Sequence, residues 1–449
     1  MTERTEPPRG EYLIRGGTVV TVDPQIGVLA PGDVHVSAGR IEAIGVRLAA
    51  PDAEVVDATR MIVMPGLIET HFHMWSSIGR NFIGHDFEYF PAKWATAAHY
   101  EPDDFYRSVL LGAVEAVSAG ITTVHNWSHN TRSPAHADAE LAAHHDAGGR
   151  ARYSYGHIDG LPVDQALDFT DIDRVRTQWF GEKPAHDGLV HLGVNLRGPD
   201  LGEMDVFEAE MAAALERGLP VSIHTVQGAS TAVRATELEE RGYLGPSFLI
   251  AHFLAATDAD LAAMARAGTP LSYAVHSELR LGEAGDPRAA LLRMLSAGVN
   301  VSFSIDATSL APVDLFQAMN VAWNMGIPWQ GSPTEELPAL TFHRCLEIAT
   351  IDGARALGLD DEVGSLTPGK RADIMLVRAD DLNVAPVADV ESTIVRSVTP
   401  ANVDTVIVDG RILKREGQLI HLDVDRVIAD AERAANDVRR RAGGRLAPV

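Results

Sequence analysis

The 449-residue sequence contains one cysteine, Cys345. A disulfide framework and a cysteine-based zinc cluster are therefore both excluded within a single chain. Cys345 stands in the helical-looking HRCLEIATIDGARALG, where a small buried apolar residue accounts for it. Basic residues are scarce as well: 38 Lys and Arg against 62 Asp and Glu leave a formal net charge of −24, and no Lys/Arg block offsets it. Such a surface repels phosphate backbones, so nucleic acid is not an expected partner. No run of about eighteen apolar residues occurs, and the opening MTERTEPPRGEYLIRGG lacks an apolar stretch of signal-peptide length. The expectation is a cytoplasmic protein with no membrane partner. No GxGxxG follows a strand-like segment, which argues against a doubly wound nucleotide-binding sheet.

What is present is ample apolar material. With 46% hydrophobic residues, a chain of this length can bury one large core and a smaller second one. Residues 12 to 60 read as short strands separated by turns, in YLIRGGTVVTVD, DVHVSAGRIEAIG and AEVVDA, and the texture returns late in KRADIMLVRAD and VDTVIVDGRILKREG. Between these flanks strand and helix signals alternate, which points to βα units and a parallel sheet. Helical runs repeatedly close on glycine and feed an apolar strand, as in VEAVSAGITTVHN, AAALERGLPVSIH, LAAMARAGTPLSYAV and LLRMLSAGVNVSFSID. Eight strand candidates end near residues 71, 125, 156, 195, 224, 252, 275 and 306. Eight is the number of strands in a (β/α)8 barrel.

The expected fold is thus α/β: a (β/α)8 TIM barrel over 65–365, with a small β-sandwich-like domain formed by 12–64 and 366–420. Residues 1–11 read as an N-terminal tail and 421–449 as a C-terminal helical segment. A long aromatic-rich segment after the first barrel strand, MWSSIGRNFIGHDFEYFPAKW, is placed to cover a site.

The chemistry is carried by strand ends. His71 and His73 (HFH) end the first barrel strand, and residues two apart on a strand project to the same side, so both imidazoles can reach one ion. His224 ends the fifth strand (VSIH), His252 the sixth (LIAH) and Asp306 the eighth (SFSID). Singly each suits packing as well as function. Together they place five metal-compatible side chains where barrel active sites are built. Imidazoles and a carboxylate with an open position suit one divalent ion per chain, Zn²⁺ or alternatively Fe²⁺, with an activated water.

PGLIETHFH, the single histidines closing the fifth and sixth strands, the aspartate of the eighth and the closing GSLTPGKRADIMLV resemble the amidohydrolase superfamily, nearest to its cytosine deaminase and triazine hydrolase-like branch. The resemblance runs from about residue 12 to 420. It implies His71, His73, His224 and Asp306 as metal ligands, His252 as the residue that polarises substrate or orients water, and Asp306 as proton acceptor as well. Binuclear members carry a carboxylated lysine on the fourth strand, and HLGVNLRG has none. The implied reaction is metal-dependent hydrolysis of a C–N or related bond in a small cyclic, nitrogen-containing molecule, by a homo-oligomer, dimer or higher.

One position departs from the family pattern. Deaminases of this branch carry a glutamate three residues after the fifth-strand histidine, and here the segment reads His224-Thr-Val-Gln227. A carboxamide has no titratable proton near neutrality, so Gln227 can bind substrate but not shuttle protons. Candidates for the displaced work are His276 and Glu278 in YAVHSELRLG, in a loop placed to point them into the mouth just past the seventh strand, and His125 and His129 in TTVHNWSHN, alongside His252 and Asp306. His125 and Trp127 in TTVHNWSHN, His157 in YSYGHIDG, Trp75 and Gln227 are the candidate substrate contacts. The remaining histidines, the His144–His145 pair among them, read as solvated surface. Two other readings stay open: a variant that releases halide or thiolate or performs a lyase or isomerase step, and a noncatalytic binding scaffold.

Overall fold

Nine strands from the two ends of the chain build one mixed sheet. The structure is a computed structural model that describes residues 7–83, 88–182, 184–225, 233–282, 286–327 and 337–444. β1 (Tyr12–Val20), β2 (Val28–Ser37), β3 (Arg40–Gly45), β4 (Glu54–Asp57) and β5 (Met61–Pro65) come from the N-terminal part; β14 (Ile374–Arg378), β15 (Val403–Val408), β16 (Arg411–Arg415) and β17 (Gln418–Leu419) come from the C-terminal part. The order is β17-β16-β15-β14-β5-β1-β2-β3, with β4 beside β1. The two parts meet along β5 and β14, which run antiparallel from Met61 opposite Arg378 to Pro65 opposite Ile374. Ile14, Val19, Val63, Ile374, Leu376 and Ile407 bury their side chains in the small core this makes.

That seam has a consequence. Without residues 366–449, β5 loses its neighbour β14 and becomes an open edge, and Val63 loses the cover of Leu376; unpaired strand edges are aggregation templates. Chain ending at residue 365 is expected to be insoluble, as sedimentation of the expressed protein would show; a soluble, fully active truncation would contradict the reading.

The second sheet is wholly parallel: β6 (Leu67–Phe72), β7 (Ile121–Ser128), β8 (Arg150–Gly156), β9 (Val190–Leu196), β10 (Val221–His224), β11 (Phe248–Ala251), β12 (Leu271–Ala274) and β13 (Val301–Ser304), in sequence order. It closes between the first and last strands: His73 N–H donates to Asp306 O at 2.7 Å, Asp306 N–H to His71 O at 3.0 Å, and Phe72 bridges Asp306. The barrel of eight βα units is therefore present, and its last seam is stitched by the backbone of proposed ligands. The strands are buried on nearly every residue because helices cover the outside while side chains fill the inside. Gly148 (φ 73°) and Gly268 (φ 69°) cap helices in the left-handed conformation before the turn into β8 and β12. These are the glycine stops visible in the sequence.

Cys345 lies buried in the helix Phe342–Ala349, and burial pushes its thiol up to about 12. The C-terminal helix Val424–Arg441 packs Ala431, Ala434 and Val438 into a cluster with Trp75, Phe82 and Phe105, so it braces the segment after β6. Among the described residues no helix is long and apolar enough to cross a membrane.

Candidate metal centre and active site

Five side chains meet at the C-terminal mouth of the barrel. His71 Nε2 lies 3.2 Å from His224 Nε2 and 3.5 Å from Asp306 Oδ1, and His73 Nε2 lies 3.1 Å from the same oxygen. Donor atoms of His71, His73 and His224, and likewise of His71, His252 and Asp306, lie within 4.8 Å of one another. His252 stacks on His224 with ring centroids 5.5 Å apart. Burial, reinforced by the neighbouring imidazoles, holds His71 and His224 well below the ordinary histidine range, so both are neutral and their lone pairs are available. Burial alone pushes Asp306 up, but the His71 and His73 imidazoles beside it hold it well below the usual carboxylate range. Neutral imidazole nitrogens converging beside a carboxylate are a donor set that fits a divalent cation.

The backbone is strained at these positions. His252 (φ 73°) and Asp306 (φ 68°) occupy the left-handed region just past β11 and β13. Such conformations cost about 1–3 kcal/mol and cluster at functional sites.

Each acting side chain is held by another. Glu278 Oε1 lies 2.8 Å from His252 Nδ1, and against the effect of burial this carboxylate raises His252 above its ordinary value. Ser277 Oγ donates to Asp306 Oδ2 at 2.7 Å. Glu69, fully buried inside β6, accepts His71 N–H at 2.6 Å on one oxygen and Ile305 N–H at 2.9 Å on the other. It ties the first and eighth strands together beneath the cluster. Sequence reasoning missed Glu69 and Ser277; the only trace of Glu69 is a carboxylate interrupting an apolar strand two residues before His71.

The anticipated substrate contacts separate into three groups. Trp127, 1% exposed, packs its ring 4.2 Å from that of His224 and 4.5 Å from that of His71. It is a floor for the imidazoles. Trp75 donates from Nε1 to His129 Nδ1 at 3.2 Å, and His129 Nε2 faces Asp159 Oδ1 at 3.5 Å, with Lys93 Nζ 3.3 Å from that oxygen. Lys93 and Asp159 were not anticipated. Trp75 and Lys93 also line a cavity of about 30 Å³ with Tyr89, Phe82 and Ser309, under the helix α1 (Tyr89–Thr96). Burial, then the Asp306 and Asp159 carboxylates, hold the Tyr89 phenol well above its ordinary range. His157, 6.4 Å from the His129 ring, is pushed down to about 4 by burial.

Three expectations need correction. His125 is not at the mouth: β7 runs on to Ser128, so His125 sits a layer deeper, with Thr70 O and Ser154 Oγ each 2.8 Å from its ring nitrogens. His276 and Glu278 do not share a loop. A helix, Val275–Leu281, starts directly after β12, so positions two apart diverge: Glu278 meets His252, while His276 turns toward Gln317. His144 is buried, not solvated, because its helix Pro134–Ala147 lies against the barrel and its Nε2 meets Asn126 Nδ2 at 3.0 Å. Gln227 lies outside the described residues.

The model of the amidohydrolase family matches residues 62–413, most of the chain. The chain belongs to the amidohydrolase family. It is a metal-dependent hydrolase of that family, and the five side chains of its cluster stand at the ends of four barrel strands. It is 28% identical over 449 residues to a 5'-deoxyadenosine deaminase of Methanosarcina barkeri, covering 95% of this chain and 98% of the relative. A 5-methylthioadenosine/S-adenosylhomocysteine deaminase of Symbiobacterium thermophilum is 31% identical over 441 residues, covering 94% and 98%. Among solved structures, a zinc-bound adenosine deaminase from Xanthomonas campestris superposes with a TM-score of 0.81 at 22% identity, covering 97% of this chain and 100% of that one. A zinc-bound atrazine chlorohydrolase from Arthrobacter aurescens gives 0.78 at 21% identity, covering 94% and 100%. These two show the same fold.

Proposed function

We propose that this amidohydrolase hydrolyses an exocyclic bond at a ring carbon of a small nitrogen heterocycle, with an amine as the leaving group. The observation that carries the reading is the convergence of His71, His73 and His224 on the Asp306 carboxylate, with His252 stacked over them and clamped by Glu278. His71, His73, His224 and Asp306 would hold one ion, and Zn²⁺ is the ion favoured by this donor set and by the zinc in both solved neighbours. No lysine stands in any of the eight barrel strands, which supports a single ion. When bound, a divalent ion lowers the pKa of water and offsets developing negative charge.

The side chains supply the rest. Asp306 is ionised and beside the ligand nitrogens, so one of its oxygens accepts the proton of the attacking water while Ser277 holds the other. His252, its Nδ1 fixed by Glu278, presents Nε2 to the ring atom that gains charge during attack. Trp75, Tyr89 and Lys93 line a small neighbouring cavity, and Trp75 donates to His129, whose ring lies 4.4 Å from that of His73.

Names of relatives suggest a purine-like substrate, since those at 28% and 31% identity deaminate adenosine derivatives. Gln227 favours a second reading, in which the leaving group departs without a proton, as halide or thiolate does. Zinc-loaded enzyme should be offered 5'-deoxyadenosine, 5'-methylthioadenosine, S-adenosylhomocysteine, an aminotriazine and a chlorotriazine, with ammonia and chloride measured separately. Ammonia release with kcat/KM above about 10⁴ M⁻¹s⁻¹ on one of them supports the first reading. Chloride release alone supports the second. No turnover of any heterocycle by metal-replete protein would end both.

A further inference from the structure

The opposite end of the barrel holds a half-buried cation that, among the described residues, has no counter-ion. In β7, β8 and β9 the register places His125, Arg152 and His191 side by side. Arg152 donates from Nη2 to the carbonyl of Leu357, just past the helix Ile351–Ala356. Its Nε is buried without an acceptor, and so is Nε2 of His191 beside it. Among the described residues no carboxylate reaches Arg152. Its neighbour Arg150 shows what a compensated arginine looks like here, with Asp373 accepting at 2.8 and 3.0 Å.

Arg152 faces space, not packing. It lines a cavity of about 280 Å³ together with Ser154, Ser222, Ser247 and the turn at Leu219 and Pro220. Gly193 on β9 helps make the room: a Cβ there would come within 3.0 Å of Arg152 Cδ and 2.6 Å of Ser154 Oγ. The cavity opens where strands begin, since Arg152 is the third residue of β8 and Val221 the first of β10, whereas the metal-ligating side chains stand where strands end.

A charged group whose Nε is buried without an acceptor is costly, and removing it is often neutral or stabilising. Desolvation draws the guanidinium down to about 10, which still leaves it a cation at neutral pH. In a chain of net charge −24 a carboxylate to pair with it would have been easy to find. The planar, donor-only guanidinium is suited to oxyanions.

We propose that this cavity is a second ligand site, for a small oxyanion such as a phosphate or carboxylate group, anchored on Arg152 and lined by serine hydroxyls. It is separate from the amidohydrolase centre, and its occupant stabilises the barrel by binding only the folded state.

The test uses the metal-loaded full chain, titrated calorimetrically with inorganic phosphate and with acetate, chloride serving as the control. Saturable binding of one phosphate or acetate per chain is expected, with a rise in Tm of about 2 °C or more at saturation. The arm that binds names the anion class. R152M should weaken binding at least tenfold while leaving metal content and turnover unchanged and, without anion, a Tm no lower than that of the native chain. No saturable binding to the native chain, or equal binding by R152M, overturns the proposal, the latter because the anion would then sit on the metal. Should R152M fail to fold, crystals of the native chain soaked in tungstate decide: anomalous density beside Arg152 sustains the site, and its absence there removes it.

Discussion

Asp306→Asn is expected to lower kcat by at least about 10⁴, because one carboxylate carries two duties and the amide can perform neither. Oδ1 lies 3.1 Å from His73 Nε2 and 3.5 Å from His71 Nε2, and Oδ2 accepts from Ser277. The substitution keeps the shape but turns one acceptor oxygen into a donor, and it removes the negative charge that complements the cation and the basicity that takes a proton from water. Native protein purified without chelator should contain about one equivalent of divalent metal, and the variant less, by elemental analysis. Chelation should silence the native enzyme, and zinc should restore it. Metal-free protein with full turnover would remove the central claim, and two equivalents would overturn the single-ion reading.

The strand ends were legible in the sequence for a physical reason. A barrel strand covered on both faces is a short apolar run, and a histidine or aspartate closing such a run stands out, as in LIETHFH, VSIH, LIAH and SFSID. Glycine at φ near 70° marks where helices stop, and that too is local information. Partners distant in sequence were not legible. Glu69 bonds Ile305, 236 positions away, and nothing in either segment announces the other. The errors over His125 and His276 share one origin: each depended on where an element ended or began. Three more residues of β7 drop His125 below the mouth, and a helix beginning at Val275 turns His276 away while bringing Glu278 to His252. Boundaries of a few residues decide which way a side chain points, and the hydrophobic pattern does not fix them that finely.

The other large effect concerns proton transfer. With Gln227 where deaminases of this branch carry glutamate, the movable protons at the cluster belong to Asp306 and to the His252–Glu278 pair, which is closed at 2.8 Å. Glu278→Gln removes the charge that raises His252 against the pull of burial, so the imidazole loses both its orientation and its affinity for a proton. A loss of about 10² or more in kcat is expected with metal content unchanged, and His252→Ala should lose at least as much. His276→Ala is expected to be near neutral, because its ring faces Gln317 and not the cluster. Gln227→Glu should bring no gain and can slow turnover, since a carboxylate three residues after His224 adds negative charge where the amide was neutral. Turnover on the best substrate and bound metal, measured for all four variants, separate the outcomes. If Gln227→Glu raised deamination by orders of magnitude while Glu278→Gln and His252→Ala were near neutral, the native chain would be an impaired deaminase and the role given to His252 and Glu278 would be wrong.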